Sequence, residues 1–491
     1  MGTLFKGGVL LEAHQAALGD LLVEGEQIVG SAPDIPAAGH TVVNCAGLYV
    51  MPGGVDVHTH LDMPLAGTAS NDDFESGGRA AAFGGTTSLL DFASQPRGGT
   101  LAEGLALWRR KAERAVIDYG FHMTITDARD DALAEIPAMR AAGVTSLKVL
   151  MAYKGRIMVD DTALFRTLRA ARQHDMLVLV HCENGDVEYE LRHELLAAGK
   201  TDPVYHAASR PPEIEGEATN RAIMMAGLTG CPLYVVHVTC AQSAAALRQG
   251  RALGCPVMGE TCVQYLHLTV DEHLAQPAFQ GAKYVCSPPV RSARDHAALW
   301  DAVRDETLQV VSTDHCPFWL AGGSGPWREW AAAHDDNHWP DYEAQDAAYR
   351  RPGKELGRGD FTQMPNGLPG IEDRLRVMWH SGVNSGRITP QRFVALMSTN
   401  PARIFGLYPR KGTLLPGADA DIVLWDPAQA RTISAASHHM RVDYNCYEGL
   451  AVRGGPAQVY LRGAKIVDGD RWLGARGAGR YLARSAPPLL L

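Results

Sequence analysis

His58 and His60 stand two residues apart in PGGVDVHTH, where a β-branched run ends. On a strand that spacing puts both imidazoles on one face, where they can share one metal ion. His181, His237 and Asp314 each close a different apolar run, in MLVLVHCEN, PLYVVHVT and LQVVSTDHC. Any one of them alone reads as an ordinary strand-end residue, but five at equivalent positions point to a shared site. Lys148 lies inside another apolar run, SLKVLMA, where an unpaired ammonium is strongly disfavoured. Three readings of it are open: an ion pair with a nearby carboxylate, a stem that snorkels to the surface, or an amine of lowered pKa that takes up CO2 as a carbamate. The carbamate would be an anion able to bridge two metal ions. Four histidines, one aspartate and such an anion suffice for two divalent ions, which together generate hydroxide near neutral pH and polarise a carbonyl. The donor set fits Zn2+, with Mn, Co, Fe and Ni compatible.

These residues need strands to carry them. Between about residues 55 and 315 short apolar runs recur at 55–60, 86–93, 121–126, 146–152, 176–184, 232–239, 255–262 and 308–316, with Ala/Leu/Arg-rich stretches between them. Most spacings are about 25 to 33 residues, the length of a strand plus a crossover helix. Eight units predict a (β/α)8 barrel, whose active sites collect at the C-terminal ends of the strands; an open doubly wound sheet is the competing arrangement. Residues 1–50 and 412–470 alternate Gly/Asp turns with short strands and predict one small β-domain built from both ends, bracketing a catalytic barrel over 51–411. The tail 471–491 ends in RYLARSAPPLLL, whose apolar character suits either docking on a neighbouring subunit or disorder.

Composition narrows the class. In 491 residues, 46% are hydrophobic and 21% charged, which demands a folded core and excludes a disordered chain. The net charge of −9, with no Lys/Arg run, argues against nucleic acid as a partner. Nine dispersed cysteines without CxxC spacing read as reduced thiols of a cytoplasmic protein. MGTLFKGGVLLEAHQ lacks the organisation of an export signal, Lys6 occupies the Ser/Thr position of a myristoylation signal, and no apolar run is long enough to span a membrane.

The blocks PGGVDVHTHLDMP, SLKVLMAYKG, HCENGD, SRPPEIEGEA, VVHVT, GETCVQYL, KYVCSPPVR, STDHCPF, KELGRGDF and PNGLPGIEDR resemble the dihydropyrimidinase/hydantoinase group of the amidohydrolase superfamily. The likeness runs from the N-terminal β segment to about residue 480. It implies a TIM-like metal-dependent hydrolase barrel with a β-sandwich from both termini, a binuclear Zn centre and a homotetramer. His58 and His60 with Asp314 would bind the more buried metal and His181 with His237 the more exposed one, bridged by N6-carboxylated Lys148. Tyr153 would hydrogen-bond the developing oxyanion, and Ser287 and Asn366 would hold the cyclic amide through backbone groups. The implied reaction is hydrolytic ring opening of a cyclic ureide by a metal-bridging hydroxide, with Asp314 as base and then acid. Dihydrouracil, dihydrothymine or a 5-substituted hydantoin would yield an N-carbamoyl amino acid.

Three alternatives remain beside this reading. Dihydroorotases commonly carry Arg two residues after the HxH pair, where this chain has Asp62; allantoinases generally lack the tyrosine found here as Tyr153. Collapsin response mediator proteins share the fold without the metal ligands, whereas all six ligand positions are filled here. The chain departs from the group pattern at 319–353, between Phe318 and Lys354, an insertion that holds Trp319, Trp327, Trp330 and Trp339. Following the eighth run, it is expected near the active-site mouth or a subunit interface. His334 and His338 within it have metal-capable i, i+4 spacing.

Overall fold

A computed structural model describes residues 2–65, 67–322 and 351–485. The eight apolar runs form strands β1 (Gly54–Thr59), β2 (Thr86–Ser94), β3 (Asp118–Thr124), β4 (Ser146–Leu150), β5 (Leu177–His181), β6 (Leu233–Val235), β7 (Val257–Cys262) and β8 (Val310–Ser312). They pair in parallel and in sequence order, β1 to β8. A bridge between Thr59 and His315, with the His60 N–H donating to His315 O at 2.8 Å, joins the ends of β1 and β8. An open sheet is thereby ruled out.

The β1/β8 seam carries only this short stretch of ladder, and side chains fill the rest. Asp56 accepts from the Thr313 hydroxyl at 2.6 Å, and fully buried Arg374 donates to Val55 O at 3.0 Å and Val311 O at 3.2 Å. Inside the barrel, Val55, Val57, Leu90, Phe92, Leu177, Leu179, Tyr234, Val236, Met258 and Val310 form one cluster. Alternate residues such as Leu89, Val178 and Val235 pack outward against the helices. The crossover helix Asp161–Gln173 is amphipathic and capped: Asp160 caps the start, and Leu164, Leu168 and Ala171 are buried.

Both chain ends build one nine-stranded mixed sheet. Its N-terminal strands lie within 3–52 and its C-terminal ones within 422–472; Tyr49–Pro52 pairs antiparallel with Ile422–Thr432. Phe5, Leu21, Val50, Ile422 and Leu424 form its core. Beyond the last strand the chain returns to the barrel: Leu482 enters the inner cluster and Arg484 donates to Phe121 O and, at 2.9 Å, to the Ser146 hydroxyl. The described part of the tail therefore docks on its own barrel.

Trp327, Trp330, Trp339, His334 and His338 lie outside the described residues. The segments flanking them are firmly held. Arg351 pairs with Asp62 at 2.9 Å and donates to Ser70 O at 2.8 Å, and the Thr68 hydroxyl donates to Pro352 O at 2.6 Å. The described chain thus resumes at Arg351 beside the loop that follows β1, whose Met63 and Leu65 line the cavity described below. Among the described residues no helix is long and apolar enough to cross a membrane.

Candidate active site

At the C-terminal ends of the barrel strands opens a cavity of ≈ 470 Å³. His58, His60, Lys148, Tyr153, His181, His237, Ser287, Asp314 and Asn366 all line it. The sequence-expected residues, from five strands or the segments directly after them plus two later loops, all line this one cavity.

At the barrel end of the cavity Asp314 Oδ1 stands 3.2 Å from His58 Nε2 and 3.0 Å from His60 Nε2. His181 Nδ1 faces His237 Nε2 at 2.9 Å. One donor atom each of His58, His237 and Asp314 lie within 4.8 Å of one another. Lys148 is buried, and its ammonium makes no hydrogen bond or ion pair with a described residue; it lies 5.2 Å from the centre of the Phe92 ring.

Burial and charge set the protonation of this end. Burial works against the ring charges of His60, His181 and His237 and lowers all three pKa values, leaving neutral imidazoles with lone pairs to donate. Burial also opposes a charged His58, but Asp314 and Glu260 overcome it and raise that ring to about 9. Asp314 is held well below the usual carboxylate range by His58 and His60, against the cost of burial. Burial lowers Lys148 to about 8. Carboxylates that call for a cation, facing neutral imidazoles, are the environment a divalent ion completes. The enclosed Nδ1 atoms of His60 and of buried His237 also lack a partner among the described residues, so the donors present fit a metal centre.

A second layer holds these donors. Glu260, from β7, accepts from His58 Nδ1, and the Tyr234 hydroxyl donates to the other Glu260 oxygen at 3.1 Å. Glu183 contacts His181 Nε2 at 2.7 Å and pairs with Arg210 at 2.6 Å. Arg210 in turn lies over the Tyr153 ring, 5.5 Å from its centre. The sequence reading passed over Glu260, Glu183 and Arg210. For Glu260 and Glu183 the signal was a charged residue within or just after an apolar strand, without the repeated spacing that exposed the histidines; Arg210 lies between two helices and carries no such signal.

At the outer end, burial pushes the Tyr153 phenol up, so it is a donor at neutral pH. Ser287 is buried, follows Cys286 into a cis peptide with Pro288, and has its hydroxyl 3.1 Å from His206 Nε2. Asn366 lies on the adjacent segment, where the Gly367 N–H donates to Val285 O at 3.0 Å. Met63, Leu65 and Ile157 supply apolar wall. Asp62, at the position where an Arg would have favoured dihydroorotate, is buried and paired with Lys111 at 3.3 Å and with Arg351.

Comparison with known proteins agrees with this architecture. Residues 49–466 match the model of the amidohydrolase family. The chain is 45% identical over 487 residues to a D-hydantoinase of Geobacillus stearothermophilus, covering 99% of this chain and 97% of that protein. It is 39% identical over 468 residues to a dihydropyrimidinase of Arabidopsis thaliana, covering 94% of this chain and 82% of that protein. The crystal structure of dihydropyrimidinase from Brevibacillus agri NCHU1002 superposes with a TM-score of 0.91 at 45% identity, over 99% of this chain and 100% of that one. A closed eight-stranded barrel with histidines at its mouth and a match over most of its length together place this chain in the amidohydrolase family.

Proposed function

We propose that this protein hydrolyses cyclic ureides, opening 5,6-dihydropyrimidines or 5-substituted hydantoins to N-carbamoyl amino acids. The observation that carries the reading is the single cavity in which four histidines, Asp314 and a buried Lys148, without a hydrogen-bond or ion-pair partner among the described residues, face Tyr153, Ser287 and Asn366. In this reading His58, His60 and Asp314 would hold one divalent ion and His181 with His237 the other, Lys148 as its carbamate would serve as a ligand to both, and Zn2+ would suit these donors. The lowered pKa of Lys148 supports the carbamate, because the neutral amine is the form that adds to CO2. When bound, the two ions supply an acidified water and a Lewis acid for the ring carbonyl.

The chain's own groups do the rest. Backbone groups at Ser287 and Asn366 hold the ring amide, and the un-ionised Tyr153 phenol donates to the carbonyl oxygen as negative charge gathers there. Asp314 accepts the proton released as water adds to the carbonyl carbon, then delivers it to the ring nitrogen as the C–N bond breaks. Its Oδ1 is engaged by His58 and His60, while Oδ2 has no hydrogen-bond partner among the described residues.

The test is a ring-opening assay of the metal-loaded protein on dihydrouracil, hydantoin, phenylhydantoin, allantoin and dihydroorotate. Turnover of the first three is expected, and a preference for either of the last two would overturn the assignment. A protein that binds no metal and stays inactive after Zn2+ and bicarbonate would instead be a binding protein of the collapsin response mediator type. Lys148→Ala should be inactive and partly restored by small carboxylic acids. We further propose a homotetramer, to be checked by sedimentation, and a cytoplasmic location, which nine cysteines without a disulfide support.

A further inference from the structure

Lys354 lies outside the catalytic constellation, yet it is fully buried. Its ammonium donates to three backbone carbonyls, Val285 O at 2.7 Å, Pro365 O at 2.9 Å and Gly367 O at 2.8 Å, which uses every N–H it has. These carbonyls belong to two segments distant in sequence. Val285 lies two residues before Ser287, and Pro365 and Gly367 flank Asn366. We infer that Lys354 is a positioning residue for substrate, clamping the Ser287 and Asn366 segments at the spacing the cyclic amide requires. The inference rests on the proposed role of those two backbone groups.

Two further features give the clamp its effect. Val285 O also accepts from the Gly367 N–H at 3.0 Å, so one carbonyl fixes both partners. Gly367 has φ 154°, and a Cβ there would collide with the Cys316 carbonyl two residues after Asp314. The segment is thus registered against the β8 loop that carries Asp314. The amide whose carbonyl is Pro365 O has the Asn366 N–H at its other end, so a cation on the oxygen strengthens that N–H as a donor. Among the described residues no carboxylate pairs with the Lys354 ammonium, which besides these three carbonyls lies 5.8 Å from the centre of the Phe318 ring.

The test compares Lys354→Met and Lys354→Gln with the wild-type holoenzyme, measuring metal content, melting temperature, KM and kcat on dihydrouracil and phenylhydantoin. With wild-type metal content, Lys354→Met is expected to raise KM by about tenfold or more, with a smaller fall in kcat, and Lys354→Gln, which keeps two donors, to fall between. A purely structural lysine would lower the melting temperature and the active fraction while leaving KM alone; unchanged KM in either folded variant overturns the inference. Failure of both variants to fold would equally assign Lys354 to stability and overturn it. Should the wild-type holoenzyme open neither ring, it is the functional reading that fails, and the variants are not needed to show it.

Discussion

Tyr153, His237 and Asp314 have backbone φ of 69°, 38° and 51°, a left-handed region uncommon for residues other than glycine, which His and Asp enter more readily than Tyr. At His237 the consequence is direct. Val236 points into the barrel, so on a regular strand the next side chain would point out; the left-handed turn swings His237 back over the mouth. His58 follows inward-facing Val57 and reaches the cavity because the pairing of β1 with β2 slips between Asp56 and Thr59. The identities of these residues were legible in the sequence because His and Asp interrupt apolar runs. Their directions were not, since strict alternation would send half of them outward. For Tyr153 the prediction separates chemistry from conformation. Tyr153→Phe keeps the ring and the backbone but removes the donor, so kcat should fall by about 10²- to 10³-fold with metal content and melting temperature unchanged. Steady-state kinetics on hydantoin would check it, and a kcat within about twofold of wild type would remove Tyr153 from the mechanism.

The barrel strands were legible because runs buried on both faces are apolar throughout, whichever way each residue points. The closure of the barrel was not. Asp56 in VDVHTH looks like the polar half of an alternating strand, yet it is fully buried and bound to Thr313, the residue before Asp314. This contact sets Asp314, a proposed metal ligand, against the strand that carries His58 and leads into His60. Asp56→Ala should therefore weaken the site more than it weakens the fold. Metal affinity should fall by about tenfold or more, the usual effect of losing a partner one layer behind a ligand, which competition with a chelator would measure. Equal losses in Asp56→Ala and in a variant opened elsewhere in the barrel would show a general loosening instead.

At the scale of the whole molecule, the joining of the two chain ends could be read from their matching turn-rich β patterns, but what fixes that sheet to the barrel could not. Lys411 is buried between Asp118, at the start of β3, and Asp419 and Asp421, which lead into Ile422–Thr432; the distances are 2.6, 2.9 and 2.7 Å. Asp419 and Asp421 are local to Lys411, but Asp118 is 293 residues from it in sequence, so no local pattern announces the contact that joins the two parts. Burial opposes the Lys411 charge, but Asp421, Asp118 and Asp419 outweigh it and raise its pKa to about 12. A raised folded pKa means that this contribution to stability is fully present below the unfolded lysine value and is lost only as pH climbs through about 12. Lys411→Met leaves the carboxylates buried together and should cost about 3–5 kcal/mol near neutral pH. Lys411 holds down the pKa values of Asp118 and Asp421, so without the ammonium these two rise and acid relieves the repulsion in the variant before it does so in the wild type. Urea unfolding of both proteins at about pH 8 and about pH 6 should show the stability gap narrowing at the lower pH. A gap of constant size would mean that Lys411 joins sheet and barrel through the packing of its stem, with its charge playing little part.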